Sequence, residues 1–86
     1  MDVQTRLETL LATVEQLGIE IRRTALGGEG GGLCSLRGRR VLFVDTSADA
    51  ATRYDKTVAA IAKLPELQDR YLPPELRDDL DRAAQR

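Results

Sequence analysis

Five of the seven glycines in this 86-residue chain fall within residues 27–32, and no other feature restricts its folding as strongly. Each glycine loses extra backbone entropy on ordering and brings no side chain to pack, so the tract is expected to be a mobile loop, interior to neither strand nor helix. The residues after it have the opposite character. Val41, Leu42, Phe43 and Val44 form an apolar run of β-branched and aromatic type, too short for a helix, which reads as a central strand and the best core segment, with the Phe43 ring buried. Residues 32–36 alternate weakly, and Arg37-Gly38 puts a residue tolerant of positive φ between two strand-like runs, the signal of a short hairpin.

Helical patterns flank this segment. Val3, Leu7, Leu10, Val14 and Leu17 recur in steps of four and three, with Leu11 widening the stripe, Asp2 placed to cap the start and Gly18 placed to end it. Ile19 and Ile21 alternate with Glu20 and Arg22, as in a short strand with one apolar face. Thr46 and Ser47 are candidate caps for a second helix, with Asp49 in the capping-box position and an apolar stripe of Ala51, Tyr54, Val58 and Ile61. Pro65 ends it. Pro65-Glu66-Leu67 reads as a single turn, and Pro74-Glu75-Leu76 opens a short helix running to about residue 84, anchored by Leu76 and Leu80.

The expected fold class is therefore α+β: helix, three-stranded mostly antiparallel sheet, helix and short C-terminal helix, in one domain over 1–86 with a glycine-rich loop at 27–32 and a helical tail at 65–86. A chain of this length buries only roughly 60–65% of the surface its unfolded form exposes. Its core is thin, and a second copy is the simplest source of further burial.

Charge and composition narrow the function. A net charge of −1 gives no bulk attraction to nucleic acid or to an anionic membrane, and no apolar run approaches a membrane span. The start of the chain shows an amphipathic pattern in place of a signal peptide, so a cytoplasmic location is expected. The chain has no histidine, which removes imidazole as a base or zinc ligand, and its single cysteine cannot form an intrachain disulfide. No metal and no cofactor are expected.

Two groups of residues are candidate sites. Gly28, Glu29, Gly30, Gly31 and Cys34 could form a small-ligand or thiol-dependent site. The tract lacks the Lys-Ser/Thr pair of a P-loop, and Leu33 stands where a dinucleotide fingerprint needs glycine, so a connecting loop is the simpler reading, with Cys34 a small buried hydrophobe. Arg37, Arg39 and Arg40 crowd the hairpin tip as a candidate interaction patch. Without interleaved aromatics, they read more simply as charges protecting sheet edges. Asp45, Asp49 and Asp55 lack calcium-loop spacing.

The first helix, Gly18-Ile19-Glu20-Ile21, the glycine-containing gap, the run from Gly38 to Asp45, and Arg53-Tyr54 entering a helix together resemble the core of zincin-like metallopeptidases of the ImmA/IrrE type. The resemblance covers roughly the first two thirds of the chain and implies element order. That family carries HExxH on the second helix. When Thr57-Val58-Ala59 is matched to the residues before the motif, Ala60, Ile61 and Leu64 stand in the places of His, Glu and His, so no functional residue carries over.

These readings lead to a non-catalytic interaction or regulatory module that pairs as a homodimer or with another protein, and not an enzyme. The alternative is the ligand or thiol site at the glycine tract and Cys34, completed by a second subunit. Face-to-face packing of the uncovered sheet is preferred over continuation of the sheet, because the three arginines disfavour bare edge pairing at the hairpin end.

Overall fold

Asp2 starts the first helix by accepting a hydrogen bond on Oδ1 from the Thr5 amide at 2.7 Å. The computed structural model, which describes residues 1–29 and 31–85, orders the chain as α1 (Val3–Gln16), β1 (Glu20–Thr24), β2 (Gly31–Leu36), β3 (Arg39–Asp45), α2 (Ala50–Ile61), a 3-10 helix (Pro65–Asp69) and α3 (Pro74–Ala84). This is the α+β order that periodicity predicts. The sheet is mixed: β3 lies in the middle, parallel to β1 and antiparallel to β2.

One face of the sheet is covered by helices. Leu42 and Val44 of β3, with Ile21 of β1 and Leu33 of β2 beside Leu42, pack against the stripe Leu7, Leu10, Leu11 and Val14 of α1 and against Tyr54, Val58 and Ile61 of α2. Leu67, Leu72, Leu76 and Leu80 close the core from the C-terminal side. Thr57 is buried among these groups, and its Oγ1 has no hydrogen-bond partner among the described residues.

Three expectations need correction. Gly31 and Gly32 are not loop residues, because β2 begins at Gly31 and pairs them with Val44 and Phe43. Gly31 has φ 103°, and a Cβ there would stand 2.0 Å from the Phe43 carbonyl oxygen, so this strand position accepts only glycine. Phe43 is half-buried, because the pleat that turns Leu42 and Val44 toward the helices turns Phe43 to the open face. Asp49, not Thr46 or Ser47, caps α2, accepting from the Thr52 amide at 2.8 Å. Thr46 and Ser47 are held one step earlier, in a turn built on Asp45.

The hairpin between β2 and β3 is a two-residue turn in which Arg37 (φ 52°) and Gly38 (φ 78°) both have positive φ, the conformation whose twist matches the flanking strands. No helix among the described residues is long and apolar enough to cross a membrane.

Candidate functional site

Side chains alternate across a sheet, so the face turned away from the helices can be read from the register. It carries Glu20, Arg22 and Thr24 from β1, Arg39, Val41, Phe43 and Asp45 from β3, and Gly32, Cys34 and Leu36 from β2. Its two sides differ chemically. On the β1 side Arg22 pairs with Glu20, and Arg22 together with nearby Arg39 holds the Glu20 carboxyl below the usual carboxylate range, the Arg22 hydrogen bond contributing most. On the β2 side Leu26, Glu29, Gly31, Gly32, Cys34 and Phe43 line a shallow hollow of about 380 Å³.

The hollow brings together three residues of the predicted ligand site, Glu29, Gly31 and Cys34, and adds Leu26, Gly32 and Phe43 to them. Gly28 is not among its lining residues, and Gly30 lies outside the described residues. Cys34 is exposed, in contrast to the buried position expected of a lone strand cysteine, because it sits on the open face of an edge strand. Among the described residues no group of three His, Cys, Asp or Glu side chains is placed to hold a metal ion.

The predicted arginine patch is not one surface. Arg37 lies at the turn, Arg39 on the open face near Glu20, and Arg40 on the helical face, where it pairs with Glu66 at 2.5 Å and holds that carboxyl below its ordinary range. Adjacent strand positions point to opposite faces, so Arg39 and Arg40 diverge. Both also belong to the central strand, where they cannot guard an edge.

The two edges are consequently unequal. β1 carries Glu20, Arg22 and Arg23, with Arg22 paired to Glu20 and Arg23 4.0 Å from Glu8 of α1. β2 reads GGLCSL, six residues without a charge or a proline, its last three exposed, and no strand among the described residues pairs with its outer side. An edge of that kind presents unpaired backbone donors and acceptors without the devices that prevent association. Sequence reasoning missed this contrast because both strands were legible but their order was not.

Asp45 fixes the approach to this surface. Fully buried, it accepts on Oδ1 from the amides of Leu26 and Ser47, both at 2.8 Å, and its main-chain oxygen accepts from Arg53 Nε at 3.0 Å. Arg53 also donates to the main-chain oxygens of Thr46 and Ala48. The β1–β2 connection is thereby tied to the turn before α2, which places Leu26 beside the hollow.

A second polar cluster joins the three helices. Tyr54 of α2 donates its hydroxyl to Asp79 Oδ2 of α3 at 2.6 Å, Arg6 of α1 reaches the same oxygen at 3.2 Å, and Arg82 pairs with Oδ1. Burial, followed by the Asp79 hydrogen bond, pushes the Tyr54 phenol above its ordinary range, while the Tyr54 hydroxyl and the arginines hold the Asp79 carboxyl below its own. These groups line a groove of about 690 Å³ with Val3, Val58 and Ala83. The available signal was a tyrosine in an otherwise apolar stripe, since a buried phenol needs a partner for its hydroxyl.

Comparison with protein families, with curated proteins and with solved structures finds no match to this chain.

Proposed function

We propose that this chain is a non-catalytic interaction module that works through the outer edge of β2 and the adjoining apolar side of the open face, by taking up an extended strand from another polypeptide. The observation that carries this reading is the unequal pair of edges: β1 is charged, whereas β2 has no charge or proline over its whole length. Strand addition draws affinity from main-chain hydrogen bonds and specificity from alternate side-chain pockets. The hollow beside Phe43 and Cys34 supplies one such pocket. The preference for face packing rested on edge-guarding arginines, and Arg39 and Arg40 do not stand on an edge, so the balance moves to the edge. A reducing cytoplasm is the compartment we propose, where the exposed Cys34 thiol stays free.

A photoreactive residue placed at Ser35 on β2, and separately at Thr24 on β1, tests the reading in cells producing the chain at its natural level. Cross-links are expected from Ser35 and not from Thr24. Adducts confined to Thr24, or no adduct at Ser35, would remove β2 as the working edge.

A second reading has one observation in its favour, the convergence of Glu29, Gly31 and Cys34 on the hollow. As a small-ligand site it would take a compact, largely apolar molecule with a group for the Glu29 carboxylate. Saturable amide shifts confined to Leu26, Gly32 and Phe43 in a fragment screen are its expected signature, and shifts scattered over the surface count against it.

A further inference from the structure

We draw no further inference here: the strongest candidate, the groove of about 690 Å³ between α1, α2 and α3, carries none, because Tyr54, Arg6 and Arg82 turn to Asp79 within the chain and nothing in the structure shows what covers it.

Discussion

The Cα of Gly31 lies so close to the main chain of Phe43 that a Cβ would stand 2.0 Å from the Phe43 carbonyl oxygen and 2.7 Å from its carbonyl carbon. The obstacle is backbone of the central strand, which cannot rotate away, and the φ of 103° adds strain for any L side chain. Gly32, one residue on, meets nothing within 4 Å. Gly31→Ala should therefore cost at least about 2 kcal/mol and unpair the start of β2, while Gly32→Ala should change stability by less than about 1 kcal/mol. Urea denaturation of the two variants decides it, and equal losses would contradict the close approach.

The pleat of β3 separates two neighbours that composition treats alike. Leu42 is fully buried under the helices, whereas Phe43 is half-buried on the open face. Leu42→Ala should cost about 3–4 kcal/mol, and Phe43→Ala about 1–2 kcal/mol, well below the cost of deleting a fully buried ring. A Phe43→Ala loss equal to or above that of Leu42→Ala would mean that the assignment of faces is inverted.

How much of this was legible in the sequence depends on the range of the interaction concerned. Steps of three and four residues located α1, α2 and α3, because helical burial repeats within the segment itself. The Arg37-Gly38 turn was visible for the same local reason. The parallel pairing of β1 with β3 was not, since nothing in Ile21 or Leu42 specifies its neighbour across the sheet. That one unknown hid the unequal edges, whereas the divergence of Arg39 from Arg40 and the outward position of Phe43 follow from the pleat of β3 once Leu42 and Val44 pack under the helices. Gly31 misled for a related reason. Glycine disfavours a strand by its own entropy, and only the approach of the Phe43 carbonyl, a contact with a residue twelve positions away, makes it necessary.

Asp45 joins segments nineteen residues apart through its Oδ1 bond to the Leu26 amide, and it holds the Ser47 amide as well. Asp45→Ala leaves both donors without that acceptor in a partly buried site, a loss of about 2–3 kcal/mol. The β1–β2 connection should also open locally, so amide exchange at Leu26 should accelerate far more than at Leu42. Uniform acceleration across the sheet would instead indicate global destabilisation without a local latch.

The Tyr54–Asp79 bond makes the docking of α3 sensitive to pH at both extremes. The Asp79 carboxyl is held below its unfolded value, first by the Tyr54 hydroxyl and then by Arg82 and Arg6, so the folded chain binds fewer protons there than the unfolded one. Its contribution is present above the unfolded carboxylate pKa, about 3.9, and declines as pH falls through the lower folded value. Tyr54 has the opposite sign. Burial and the adjacent carboxylate raise the phenol, so its contribution is complete below about pH 10, where an unfolded tyrosine titrates, and declines as pH rises beyond it. Tyr54→Phe removes the hydroxyl from a charged acceptor and should cost about 1.5–2 kcal/mol at neutral pH. It should also flatten both limbs of the stability profile, because the alkaline limb loses its titrating group and the acid limb loses the leading cause of the Asp79 shift. Denaturation midpoints measured from pH 2.5 to pH 11 for the wild-type chain and Tyr54→Phe test the coupling. Parallel profiles displaced by a constant amount would show that the hydroxyl contributes packing alone.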